Sequence, residues 1–148
     1  MYTIFGNLNL KNIKEERKRL YEKLEESIKK GATNFLVGHF DNFQALAMGV
    51  LVELKSKYPI NITLACATLE SYEVASVVAP ALFGNIKIIY FDNDSADKIH
   101  NCIKSMIDKS KLIFFDVDEN KCKGDILYAL NYAKLNNKSY EIISNKIV

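Results

Sequence analysis

Short unbroken apolar runs alternate with longer amphipathic stretches from one end of this chain to the other, and that rhythm restricts the fold more than any other feature. Residues 3–5, 34–37, 60–65, 86–91, 112–117 and 140–143 read as strands. They are continuous in apolar character rather than alternating, the pattern of strands buried on both faces. Strands of that kind, each followed by a helical stretch, predict a mainly parallel sheet of about six strands with helices on both faces. The crossovers are expected to be right-handed. No linker, repeat or low-complexity segment divides the chain, so residues 1–148 are read as one α/β domain.

The intervening stretches carry their own punctuation. Residues 11–30 form a highly charged helix with an apolar stripe of Ile13, Leu20, Leu24 and Ile28, with Tyr21 beside it, and Gly31 suits its C′ position. Asp41 or Asn42 caps the next helix, which runs to about Lys57 and cannot pass Pro59. Its face of Ala45, Leu46, Met48, Gly49, Val52 and Leu54 is expected to be buried. A helix over 71–83 is expected to be interrupted, or to begin late, at Pro80. Helices over 96–108 and 126–135 follow, the second opened by Gly124 and Asp125. Tyr128, Tyr132 and Leu135 share a helical stripe, read as core in preference to a dimer face.

Bulk properties narrow the functional classes. The chain has 148 residues, 49% hydrophobic and 26% charged, the profile of an ordinary globular protein. A net charge of +2 speaks against nucleic acid or an anionic membrane as a partner. Cys66, Cys102 and Cys122 are odd in number and widely spaced, and His39 and His100 fit no zinc pattern, so no metal and no resident cofactor is expected. Reduced thiols, an N-terminus without signal-peptide character and apolar runs too short for a bilayer together point to the cytoplasm.

In a parallel sheet of this kind ligands gather beyond the carboxyl ends of the strands, where the strand order reverses. Gly6 and Asn7, Gly38 to Asn42, Cys66 to Glu70, Asp92 to Ser95 and Asp116 to Gly124 fall there. Gly6 and Gly38 directly follow strands. Each either admits a phosphate or ribose close to the backbone or merely makes a tight turn. The N-terminus of the helix after Gly38 suits an anion, with His39, Asp41 and Asn42 beside it, although capping accounts for Asp41 and Asn42 and packing for His39. Asp92, Asp94, Asp116, Asp118 and Glu119 are either carboxylates for a magnesium–nucleotide or solvated turn formers. Cys66 reads as a small core residue. A nucleophilic role would require His39 nearby.

Four segments stand in order: Thr3-Ile4-Phe5-Gly6, the charged helix ending Ile28-Lys29-Lys30-Gly31-Ala32, Asn34-Phe35-Leu36-Val37-Gly38, and Val52-Glu53-Leu54-Lys55-Ser56-Lys57-Tyr58-Pro59. Together they resemble the SLOG superfamily and most of all its YpsA-like branch, a group related to DNA-processing protein A and to LOG and lysine-decarboxylase-like proteins. Met106 to Ser110, the strand to Phe115, and 124–134 resemble its C-terminal half. The resemblance implies a Rossmann-like fold and a nucleotide-type ligand over Gly6, Gly38 and Gly124, and by analogy a homodimer. The departures bear on activity. Asn7-Leu8 stand where the branch has His-Arg, and the glycine-rich loop keeps only Gly38. Phe43-Gln44 replace a Phe-Asp pair, and Cys102-Ile103 an Arg-Asn. Lys121-Cys122-Lys123-Gly124-Asp125 replace the loop that bears the LOG enzymes' catalytic glutamate.

The function these readings favour is non-catalytic binding of a nucleotide or nucleotide-derived molecule, ADP-ribose-like signals included. The expected ligand-binding residues are Gly6, Asn7, Gly38, His39, Asp41, Asn42, Glu70, Asp92, Lys123 and Gly124. Two alternatives stand beside it. One is an N-glycosidic or phosphoester hydrolase using Asp92, Asp116 or Glu70 as base. The other is an interaction module whose pocket is plugged by Leu8, Phe40 and Phe43.

Overall fold

A computed structural model describes residues 1–8, 11–91 and 96–143. Six strands and five α-helices alternate along it: β1 (Tyr2–Gly6), α1 (Ile13–Lys29), β2 (Asn34–Gly38), α2 (Asn42–Lys55), β3 (Asn61–Cys66), α3 (Leu69–Phe83), β4 (Lys87–Tyr90), α4 (Lys98–Lys109), β5 (Leu112–Asp116), α5 (Gly124–Leu135) and β6 (Tyr140–Ile142), with a 3₁₀ turn at Glu119–Lys121. The strands form one sheet in the order β4-β3-β2-β1-β5-β6. Every pairing is parallel, as continuous apolar runs require. The chain is therefore a Rossmann-like α/β protein. Among the described residues no helix is long and apolar enough to cross a membrane.

The sheet separates two cores. On one face Leu20, Leu24 and Ile28 of α1, Phe43, Ala47, Leu51 and Leu54 of α2, and Ala75 and Ala79 of α3 pack against Ile4, Phe35, Val37, Ile62 and Leu64. On the other, Ile103, Met106 and Ile107 of α4 and Ile126, Ala129, Leu130 and Ala133 of α5 cover Phe5, Leu36, Ile113 and Phe115. This division follows from topology. Right-handed crossovers that step from β1 towards β4 lay α1 to α3 on one face, and the return to β5 puts α4 and α5 on the other.

Three expectations about helix faces are corrected. The buried side of α2 is Phe43, Gln44, Ala47, Met48, Val50, Leu51 and Leu54, whereas Ala45 and Gly49 are exposed. Both flanks of this helix are apolar, so composition alone could not orient it. In α1 the buried i, i+4 row begins at Glu16 and Ile13 lies outside it. In α5 the buried row is Ile126, Ala129, Leu130 and Ala133; Tyr128 and Tyr132 are half-buried and Leu135 is 81% exposed. Nor does Pro80 break its helix: α3 runs unbroken from Leu69 to Phe83. Pro80 stands on the exposed side near the C-terminus, where its ring removes one i→i−4 bond and little else. Gly31 takes the C′ position of α1 with φ +111°.

Candidate functional site

The strand order reverses between β1 and β5. Their carboxyl ends, Gly6 and Asp116, are register partners. The Asn7 N–H donates to the Asp116 carbonyl at 3.4 Å. Asp116 is only 4% exposed, and Arg19 of α1 donates from Nη2 to its Oδ1 at 3.0 Å. This ion pair is incompletely satisfied. Asp116 Oδ2 and Arg19 Nε are both buried and neither has a hydrogen-bond partner among the described residues. An unsatisfied buried polar atom costs roughly 1–3 kcal/mol. Burial pushes the Asp116 carboxyl above its ordinary range, against the opposing pull of the Arg19 guanidinium. The junction thus holds one acceptor and one donor that the fold leaves unused.

The helices that open at this edge of the sheet differ in how their first N–H groups are met. Asp41 Oδ1 accepts from the Gln44 N–H at 2.8 Å and caps α2. Thr68 Oγ1 accepts from Ser71 at 3.0 Å and caps α3. Asp97 Oδ1 accepts from His100 at 3.0 Å and caps α4. The N-cap of α5 is Lys123, in extended backbone geometry and with no side-chain cap. Asn12 leaves α1 without one as well, but Glu15 and Glu16 already place negative charge in its first turn. In the first turn of α5 the only acid, Asp125, is bonded to His100 Nε2 at 2.8 Å. The α5 terminus therefore combines uncapped amides with a lysine, after the loop and 3₁₀ turn that follow β5. Gly124 has φ +66° there, with open space where a Cβ would stand.

Gly38 is differently placed. Its N–H donates to Gln44 Oε1 at 2.7 Å, and Gln44 Nε2 donates on to the Ile4 carbonyl at 2.7 Å. Gln44 is fully buried, so one side chain joins the middle of β1 to the carboxyl end of β2. A Cβ on Gly38 would overlap the Phe40 ring. A Cβ on Gly6 would come within 2.6 Å of the Phe43 ring and 2.8 Å of the Asp116 carbonyl. Packing against two phenyl rings thus accounts for both glycines. Leu8, half-buried, packs on the α1–α3 side.

The expected site residues divide into two groups and one remainder. Gly6, Asn7, Lys123 and Gly124 belong to the β1/β5 junction and the loop after β5. Gly38, His39, Asp41, Asn42 and Glu70 lie on the β2/β3 side, the last four exposed. His39 Nδ1 is 2.9 Å from Ser71 Oγ. With Asp41, Ala45, Met48, Val78 and Leu82 it lines a groove of about 190 Å³ between α2 and α3. Asp92 and Asp94 lie outside the described residues. Of the remaining acids, Asp118 caps the 3₁₀ turn and Glu119 pairs with Lys134 at 2.8 Å.

All three cysteines are free thiols. Burial raises the Cys66 thiol, and Ser71, its hydrogen-bond partner, is also the residue that meets His39. Cys102 is pushed up to about 12. Neither is a ready nucleophile. Among the described residues no group of three or more His, Cys, Asp and Glu side chains is arranged to hold a metal.

Sequence reasoning does not single out Arg19, and it names Gln44 only beside Phe43 as a departure from the Phe-Asp pair. Arg19 carried a signal: it is one of two arginines among 20 basic residues, and guanidinium groups suit buried carboxylates. His100, which fits no zinc pattern in the sequence, bridges Asp97 at 2.9 Å and Asp125 at 2.8 Å and stacks on Tyr128. No protein-family model and no curated protein matches this chain.

Proposed function

We propose that the protein binds a nucleotide or nucleotide-derived molecule, ADP-ribose-like compounds included, at the β1/β5 junction and without transforming it. The observation that carries this reading is the buried Asp116–Arg19 pair, left with an unused oxygen and an unused nitrogen where the strand order reverses. A carboxylate at such a position accepts from sugar hydroxyls, and an uncapped helix N-terminus receives phosphate. Lys123 and the amides of α5 supply the second element. Arg19 offsets the repulsion that Asp116 would otherwise exert on an anion. Gly38 takes no part, because its amide is already bonded to Gln44. Asp116 is engaged by Arg19 and the glutamate-bearing loop of the LOG enzymes is absent, which supports binding without cleavage.

Isothermal titration against AMP, ADP, ADP-ribose and NAD tests the proposal. Saturable binding of at least one is expected, weakened roughly tenfold or more in Asp116→Asn and in Lys123→Glu, as for loss of a charged contact. Silence across the panel overturns it. Incubation of the bound ligand with the protein should release no base or phosphate.

A second reading, an interaction module with a closed pocket, draws on Phe40, Phe43 and Gln44, which fill the β1 and β2 ends. It predicts that wild type stays silent to the panel and that Phe40→Ala does too.

A further inference from the structure

Helix α3 buries only Ala75 and Ala79. Tyr72 and Phe83 pack partly against the core, but four other apolar side chains face outward: Val77 is 77% exposed, Leu82 66%, Val74 53% and Val78 44%. At ordinary side-chain sizes this is a patch on the order of 500 Å², near the top of the roughly 300–600 Å² that monomers expose, and patches of that size mark interaction sites. From Leu69 to Phe83 the helix holds no lysine or arginine, and its two charges, Glu70 and Glu73, lie in its first two turns.

We infer that this face is the interface of a homodimer in which α3 packs antiparallel on α3 of a second copy. Two observations select that occupant. The patch contains both a ridge and a groove, which a two-fold interface requires because it must complement itself. Val74, Val78 and Leu82 form an i, i+4 row that walls the groove between α2 and α3, and Val77 and Ala81 form the outer row beside it. The floor on the α2 side is Ala45 and Met48, and open space surrounds the Cα of exposed Gly49 one turn after Ala45, so a second helix can approach closely. Rows at i±4 meshing with the same rows of a copy give helix crossings near −50°.

Charge gives the second argument. An antiparallel pair sets the acidic first turns of one α3, with Glu70 and Glu73, against the far end of the other. There the partly exposed Lys55 donates to the Asn85 carbonyl and Lys87 is exposed. A parallel pair would set acid against acid. A membrane surface fits less well, because interfacial helices carry Lys and Arg on their polar faces. Strand addition at β4 fits less well too, since that edge is only four residues long and opens with exposed Lys87.

Sedimentation equilibrium at micromolar and submillimolar concentration tests the inference. Wild type is expected to dimerise, and Val77→Asp to weaken association roughly tenfold or more with unchanged circular dichroism. Ala81→Glu, also at an exposed position, repeats the test on the neighbouring row. Glu73→Lys should weaken the dimer and Glu73→Lys with Lys87→Glu should restore it, a pattern specific to the antiparallel arrangement. A wild type that stays monomeric at the higher concentration, a dimer indifferent to Val77→Asp and Ala81→Glu, or a monomer that co-sediments with phosphatidylglycerol vesicles would each overturn it.

Discussion

Gln44 shows how much a single side chain decides at the carboxyl edge of this sheet. Its amide bonds both the Gly38 N–H and the Ile4 carbonyl, each at 2.7 Å in a fully buried setting. Gln44→Leu fills the same space but leaves both backbone groups unsatisfied, so urea unfolding should show a loss of about 2–4 kcal/mol. That role was not legible in the sequence. A glutamine three residues after an N-cap is an ordinary helix-start residue, and only the three-dimensional approach of β1 to β2 gives it two backbone partners. Phe40 and Phe43, in contrast, were readable as residues able to cover Gly38 and Gly6, because large aromatics beside strand-end glycines have little other room. Asp116 supports a prediction with a definite sign. Its folded pKa is raised above the ordinary value of 3.8, chiefly by burial. The contribution of its carboxyl to stability is therefore fully present below that value and is lost as pH rises through the folded pKa. Asn at this position cannot titrate. Wild type should thus lose stability relative to Asp116→Asn as the pH is raised from below 3.8, and then run parallel to it. A stability difference that grows in favour of wild type over that interval would contradict burial as the dominant influence on Asp116.

The helices carry the trade between stability and binding at the scale of elements. Lys123 is a poor N-cap for α5, although its backbone, at φ −151° and ψ 171°, already has the extended geometry that a capping residue adopts. Lys123→Ser should satisfy one free N–H and raise stability by about 0.5–1 kcal/mol in thermal or urea unfolding. The same change removes the cation and occupies the amides assigned to phosphate, so affinity for the nucleotide panel should fall. A variant gaining stability without losing affinity would separate α5 from the binding site. The elements themselves were largely legible. Six strands and five helices fall within a few residues of where apolar runs, caps and glycines put them, since local signals such as Gly31, Asp41 and Pro59 act within a turn of the residue concerned. Helix orientation was less so. In α2 and α3 apolar residues surround nearly the whole helix, so periodicity has little contrast to report, and the buried side is chosen by which strands the helix crosses. The charged α1 was easy for the opposite reason: Leu20, Leu24 and Ile28 stand out against lysine and glutamate.

At the scale of the whole molecule, the order β4-β3-β2-β1-β5-β6 puts the two proposed surfaces at different places along the sheet. A parallel sheet follows from the composition of its strands, but which strand lies beside which does not. The chain's return from β4 to the far side of β1 is a long-range choice that leaves no local mark. That return creates the β1/β5 junction and, by the same step, leaves α3 as the outermost helix of its face beside the β4 edge. Strands β2 and β3 lie between the junction and that edge. Coupling between two sites requires an element with two arrangements that both sites bias. Among the described residues the packed path is bonded throughout: Gln44 is bonded at both ends, Phe43 is buried against Gly6, and the β2–β3 ladder is continuous from Asn34–Asn61 to Gly38–Ala65. Nucleotide binding and α3-mediated dimerisation are therefore expected to be independent. Titration of the same ligand into wild type and into Val77→Asp should give dissociation constants within about twofold of each other, which corresponds to a coupling free energy of about 0.4 kcal/mol or less. Saturating ligand should likewise leave the dimer dissociation constant in sedimentation unchanged. A fivefold or larger difference in either experiment, the onset of ordinary allosteric coupling at about 1 kcal/mol, would mean that the sheet between the two surfaces switches as a unit.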